Sequence, residues 1–258
     1  MMPLADFVRS TPFFVIAHRG ASGVAPENTL ASLQRAIDAG AVMVELDVQL
    51  SSDRQLMVFH DSVLGRTTNG RGHVRNFTAD ELRTLDAGSW FGPQFANERI
   101  PFLREAIEVL RGKAYLNIEL KPLHESPDAA EETAALVALV HELGIAPYMT
   151  FSSFDHRALK MVKEHDPAIL TLALNVPGDK RMPSDVVAAC GADAYGCSIH
   201  ELSKQRSADA TAHDIPFGVY TVNTEEQLRH ALSYGVRCVV SNVPDHIVSV
   251  YRTLTSHA

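Results

Sequence analysis

The chain has 258 residues, 46% of them hydrophobic, and a mean hydropathy of −0.03. That is enough for a full globular core, in one large domain or two. A net charge of −8 gives no basic footprint for nucleic acid, and no run approaches the roughly 18 apolar residues of a membrane span.

The acidity is spread along the chain and serves solubility. Three cysteines, Cys190, Cys197 and Cys238, have no CxxC spacing. They fit a reducing compartment without a disulfide framework. The opening residues "MMPLADFVRSTPFFVIAHRG" lack a basic start, a long apolar stretch and a small-residue cleavage site. The expectation is a cytoplasmic chain with no stable membrane association.

In chain order, "FFVIA" (13–17) reads as a buried strand. "PENTLASLQRAIDAG" follows as a helix, with Leu30, Leu33 and Ile37 on one face, Asn28 or Thr29 as cap and Gly40 as stop. "VMVELDVQL" (42–50) and "QLMVFH" (55–60) are strands joined only by "SSDR". Residues 61–100 break the rhythm, with a short helix expected after Thr78. Such an excursion in a compact domain is usually functional or disordered. Its "GSWFGPQF" segment holds Trp90, Phe91 and Phe95, either a small core under the loop or an apolar substrate wall.

Helix and strand then alternate: helix 102–112, strand 115–121, helix 127–144, strand 148–153, helix 154–165, strand 169–174. The rest is helix 184–192, strand 194–199, helix 200–213, strand 217–222, helix 225–235, strand 237–242 and a closing helix 245–254.

That makes nine strands. A parallel pair needs a crossover of about a dozen residues or more. "SSDR" is too short, so the second and third strands form an antiparallel hairpin. Eight βα units remain, the arithmetic of a (β/α)8 TIM barrel. A doubly wound open sheet is the alternative. With no repeat or linker in sight, the expectation is one domain over 1–258, with the hairpin after the second barrel strand and the 61–100 excursion included.

A barrel carries its site at the C-terminal strand ends. The polar residues there are His18 and Arg19, then Glu45 and Asp47, then Asn117, Glu119 and Lys121. Alternation puts Glu45 with Asp47, and Asn117 with Glu119 and Lys121, on the inward face. Pairing across "SSDR" sets Leu50 opposite Gln55 and Glu45 opposite His60, bringing a histidine to the acids. Each like-charge pair costs roughly 4 kcal/mol at about 4 Å in an effective dielectric near 20. A divalent cation on Glu45, Asp47 and Glu119 offsets this, and all-oxygen ligands favour Mg²⁺ or Ca²⁺. The alternative is an ion-pair network with Arg19 and Lys121. His18 and His60 suit acid–base work near neutral pH, and Arg19 and Lys121 suit an anion such as phosphate.

"AHRGASGVAPENT", "ELDVQLSSDRQLMVFHD" and "NIELK" resemble, in that order, signature segments of glycerophosphodiester phosphodiesterases. "GSWFGPQFANERIPFL", "SSFDHRAL" and "YTVN" extend the resemblance over almost the whole chain. The resemblance implies a (β/α)8 barrel and a divalent cation on Glu45, Asp47 and Glu119. It implies His18 and His60 as acid and base, with Arg19 and Lys121 holding phosphate. The implied reaction is hydrolysis of a small glycerophosphodiester to glycerol 3-phosphate and an alcohol.

Three positions depart from the family pattern: Ser241-Asn242 for the usual Thr-Asp, Tyr220 for a common Trp, and "SSDR" for Thr-x-Asp-Gly. Two other functions compete. One is a lysophospholipase D-type hydrolase, with the acyl chain on Trp90, Phe91 and Phe95. The other is a phosphate-ester binding protein without turnover.

Overall fold

The computed structural model describes residues 1–121 and 129–256. Along the chain lie α1 (Leu4–Ser10), β1 (Phe14–His18), α2 (Leu30–Asp38), β2 (Met43–Leu50), β3 (Leu56–Val58), β4 (Val63–Leu64), β5 (Gly72–His73), α3 (Ala79–Thr84) and α4 (Leu103–Leu110). Then come β6 (Tyr115–Glu119), α5 (Ala129–Glu142), β7 (Met149–Ser153), α6 (His156–His165), β8 (Leu170–Leu174) and α7 (Pro183–Cys190). The chain finishes with β9 (Ala194–Ser198), α8 (Lys204–Ala212), β10 (Phe217–Tyr220), α9 (Glu225–Ser233), β11 (Cys238–Ser241) and α10 (Pro244–Thr255). The start of the helix expected from 127, Pro127 and Asp128, lies outside the described residues.

Parallel pairing runs β1-β2-β6-β7-β8-β9-β10-β11 and closes from β11 back to β1. The expected eight-stranded barrel is therefore formed, with helices between its strands. Strand parity builds its two surfaces. Val15, Ala17, Val44, Leu46, Leu116 and Ile118 pack outward under the helices. The alternate residues fill the interior in tiers. Phe14, Ile16, Met43 and Tyr115 form an apolar lower tier, and His18, Glu45, Asp47, Asn117 and Glu119 follow on the same parity toward the mouth.

Helix α1 was not expected. It spans only 7 residues, yet Leu4 is 1% exposed against the lower tier. Phe7 meets Phe14 edge-on at 5.3 Å and Tyr115 at 4.8 Å between ring centroids. Leu4, Phe7 and Val8 follow helical spacing, but one short apolar stripe is a weak signal until the floor it covers is known.

The hairpin exists, with a corrected register. Leu50 pairs with Leu56, Gln49 with Met57 and Val48 with Val58, so the turn holds one residue more than "SSDR". Ser51 explains the shift: its N–H donates to the Gln55 carbonyl at 3.0 Å, and its Oγ accepts from the Gln55 N–H at 2.9 Å. Arg54 takes the left-handed conformation at φ 65°. A slip of one residue would turn His60 away from Glu45. Instead β3 ends at Val58, before His60, and the chain leaves the ladder. The Gln49 amide then holds the His60 carbonyl at 2.8 Å.

The excursion is ordered and has its own core of Met57, Phe59, Leu64, Val74, Leu82 and Ile100. Helix α3 starts after Thr78 as expected, with a reciprocal Thr78–Glu81 capping box. The hairpin turn is tied to it: Asp53 accepts from the Ala79 N–H, and Phe77 from the Ser52 N–H, both at 2.8 Å. Trp90, Phe91 and Phe95 lie outside that small core. They stack edge-on at 5.5 and 5.6 Å, with Trp90 43% exposed.

Candidate active site at the barrel mouth

Parallel register sets the acids side by side: Glu45 beside His18 and Asn117, Asp47 beside Glu119. One oxygen from each of Glu45, Asp47 and Glu119 falls within 4.8 Å of the others. They are the one such cluster found among the described residues.

Asp47 is fully buried. The Lys121 ammonium donates to it, the Arg19 Nε lies 3.2 Å from its Oδ2, and the Asn28 amide donates to the same oxygen at 2.8 Å. Burial alone would raise its pKa, but Lys121 and Arg19 together hold it well below the usual carboxylate range. Lys121 also donates to Glu119 at 2.9 Å. The ion-pair network weighed as the alternative is thus present around Asp47 and Glu119.

Glu45 stands apart. Its Oε2 accepts the Arg19 backbone N–H at 2.9 Å, while its buried Oε1 has no hydrogen-bond partner. Burial, then Asp47 and Glu119, push its pKa up. Two cations against three carboxylates leave charge uncompensated here, and a free carboxylate oxygen faces that deficit. Asn117 Oδ1 is likewise buried without a partner. The donor set, all oxygen, fits a hard divalent cation.

His18 is held by Asn242. Its Nδ1 lies 2.6 Å from Asn242 Oδ1. With an amide oxygen as acceptor, Nδ1 carries the ring proton and Nε2 keeps its lone pair. Nε2 is 4.0 Å from Glu45 Oε2, too far for a hydrogen bond. Burial first, then the neighbouring Arg19, lower the His18 pKa to about 4. The ring is neutral at physiological pH and able to accept a proton.

His60 arrives from the hairpin, with its Nδ1 on Asp61 at 2.5 Å. The expected mouth residues His18, Arg19, Glu45, Asp47, Glu119 and Lys121 are brought together, and His60 adds to the field on Asp47. Two helpers were missed. Asn28 was weighed as a helix cap, but Thr29 caps α2 by accepting from the Ser32 N–H. Asn28, at φ 58°, is freed to grip Asp47. Glu27 accepts from Arg19 Nη1 at 2.9 Å. Both lie in the loop between β1 and α2, at the barrel end where βα loops supply functional groups. Gly20 shares this loop at φ 78°, and a Cβ there would lie 2.4 Å from Ser32 Oγ. Only glycine lets the loop approach α2 so closely.

The model of the glycerophosphoryl diester phosphodiesterase family matches residues 18–246. A glycerophosphodiester phosphodiesterase of Caldanaerobacter subterraneus is 35% identical over 243 residues, covering 92% of this chain and 97% of that protein. One from Bacillus subtilis is 32% identical over 246 residues, 89% and 83% of the two chains. Among solved structures, an Oleispira antarctica phosphodiesterase in complex with the product sn-glycerol-3-phosphate superposes with a TM-score of 0.86 at 34% identity, covering 93% and 96% of the two chains. A glycerophosphodiester phosphodiesterase from Agrobacterium tumefaciens gives 0.81 at 30% identity, with 92% and 99% covered. The match runs from the first site histidine to beyond Asn242, so the chain belongs to the glycerophosphoryl diester phosphodiesterase family.

Proposed function

We propose that this protein hydrolyses glycerophosphodiesters to glycerol 3-phosphate and an alcohol. A single catalytic domain, 1–258 with its excursion, carries the site. The observation that bears most weight is the buried carboxylate trio, with an unpartnered Glu45 oxygen, beside His18 at the barrel mouth. Glu45, Asp47 and Glu119 are the residues that would hold Mg²⁺ or Ca²⁺. When bound, such a cation offsets negative charge on the phosphoryl oxygens.

The chain's own groups do the rest. His18, neutral with Nε2 free, takes a proton from the nucleophile, either water or the glycerol 2-hydroxyl. His60 gives one to the departing alcohol oxygen, and Asp61 fixes its ring. Arg19 and Lys121 add positive charge for the phosphate. Neither has a whole cationic group to spare, since both also hold Asp47. They suit orienting an anion shared with the acids.

The exposed edge of Trp90, beside Phe91, supports a second reading on the same site, a lysophospholipid whose acyl chain rests on this wall. No described helix is long and apolar enough to cross a membrane. The three free cysteines suit a reducing, cytoplasmic setting.

The test is product formation. Incubated with Mg²⁺ or Ca²⁺ and glycerophosphocholine, the protein is expected to release glycerol 3-phosphate, read by a coupled dehydrogenase. Binding of the diester without release would favour the binding-protein function. Release of phosphate monoester from lysophosphatidylcholine alone would favour the lipid substrate.

Asn242, where the family commonly has aspartate, invites a milder test. Both side chains offer an oxygen to His18 Nδ1, so Asn242→Asp preserves the tautomer. The expected change in kcat/KM is within about tenfold, or about 1.4 kcal/mol of barrier. A much larger gain would mark this chain as a weakened member.

A further inference from the structure

The excursion contributes one side chain that touches both halves of the site. Arg66 lies in the loop between β4 and β5. Its Nε donates to Asp61 Oδ2 at 2.7 Å and its Nη2 to Asp61 Oδ1 at 3.1 Å. Its Nη1 donates to Glu27 Oε2 at 2.9 Å and its Nη2 to Glu27 Oε1 at 2.6 Å. Each carboxylate is met by two N–H groups, the paired geometry that only a planar guanidinium supplies.

Both carboxylates then pass the constraint inward. Asp61 Oδ1 sits 2.5 Å from His60 Nδ1. Glu27 Oε1 accepts Arg19 Nη1 at 2.9 Å, and Arg19 in turn meets Asp47 and, through its backbone N–H, Glu45. Without Arg66, Asp61 could rotate away from the imidazole, and Glu27 would lose its outer anchor. The Arg66 side chain is 47% exposed, so these ion pairs add little to folding stability. Its two partners are far less exposed, at 12% for Glu27 and 22% for Asp61.

We propose that Arg66 is a positioning residue that holds His60, through Asp61, and Arg19, through Glu27, in their working orientations. The excursion is thereby part of the catalytic apparatus, not only a cover for the hairpin. This rests on the reading of His60 and Arg19 given above. Arg66 itself has little left to offer a phosphate, since four of its five N–H groups are directed at carboxylates.

Kinetics of Arg66→Met, Arg66→Lys, Asp61→Asn and the Arg66→Met/Asp61→Asn double variant on glycerophosphocholine test this. Arg66→Met is expected to lower kcat by about 10- to 100-fold, the scale of a small misplacement of a catalytic group. KM should stay within about threefold and the melting temperature near that of the parent. Lysine should restore little of the loss, because an ammonium cannot grip two carboxylates in pairs. The double variant should lose less than the product of the two single losses, because Arg66 and Asp61 share the His60 arm while Arg66 alone serves the Glu27 arm. A kcat near the parent's, losses that multiply, or a loss confined to KM would each overturn the proposal. Nitrogen–proton NMR of the His60 ring reads the coupling without turnover. The parent should show a low-field Nδ1 proton held in the bond to Asp61, and Arg66→Met a weakened or exchange-broadened one. An unchanged spectrum overturns the proposal even if His60→Ala retains full activity and the acid role of His60 falls separately.

Discussion

Chelation of divalent cations is expected to abolish turnover, and added Mg²⁺ or Ca²⁺ to restore it. A bound cation stabilises developing phosphoryl charge by several kcal/mol, and about 4 kcal/mol is about a thousandfold in rate. The trio of Glu45, Asp47 and Glu119 sits in a charge deficit that Arg19 and Lys121 do not close. Glu119→Gln removes one of the three negative charges without changing shape. Its side chain is 16% exposed at a strand end, not part of the apolar packing, so the fold should survive. Calorimetric titration should show weaker cation binding, and the cation concentration needed for half-maximal rate should rise. Full activity in excess EDTA would remove the metal proposal and leave the acids to the ion-pair network alone.

Replacing the two histidines is expected to separate their roles. Each proton transfer is worth about 10² to 10⁴ in rate. An alkoxide such as choline's leaves badly without a proton, whereas nitrophenolate leaves as a stable anion. His60→Ala should therefore be costly on glycerophosphocholine and mild on a nitrophenyl ester that binds productively. His18→Ala should hurt both substrates alike, because activating the nucleophile is common to them. The Asn242 bond, which leaves Nε2 unprotonated, favours His18 as the base. The reverse pattern of losses would exchange the two assignments. Equal losses for both variants on both esters would make the histidines phosphate-binding or structural.

Much of this site was legible because strand parity is a strict rule. Glu45 and Asp47 lie two apart on β2, Asn117 and Glu119 two apart on β6, and the register between those strands then sets acid beside acid. The short link after Leu50 ruled out a crossover, which left eight strands for the barrel. The exact hairpin register was not legible. It depends on Ser51 bonding to Gln55 and on Arg54 entering a left-handed conformation, a choice that several turn lengths allow. His60 reaches the site by leaving the ladder, so the right neighbourhood was reached through the wrong pairing.

The supporting residues were harder to see for a related reason. Asn28 and Thr29 are both good caps by residue type, and only the loop's path over the barrel shows which is free to reach Asp47. Asn242 drew notice as a departure from a pattern, but its partner, 224 residues away, required the closed barrel. Arg66 and Asp61 belong to a stretch without periodicity, where spacing carries no information about contacts.

The tiered interior has a consequence for how such a protein can diverge. On β2, Met43 belongs to the floor and Glu45 to the mouth, only two positions apart. The floor, closed by α1, asks of its residues apolar character and volume, requirements that many combinations of side chains satisfy. The mouth asks for particular atoms in particular places. Neutral drift can therefore accumulate at one end of a strand while the other stays fixed. New alcohol preferences can arise in the loops above the mouth, on a scaffold whose stability is supplied from below.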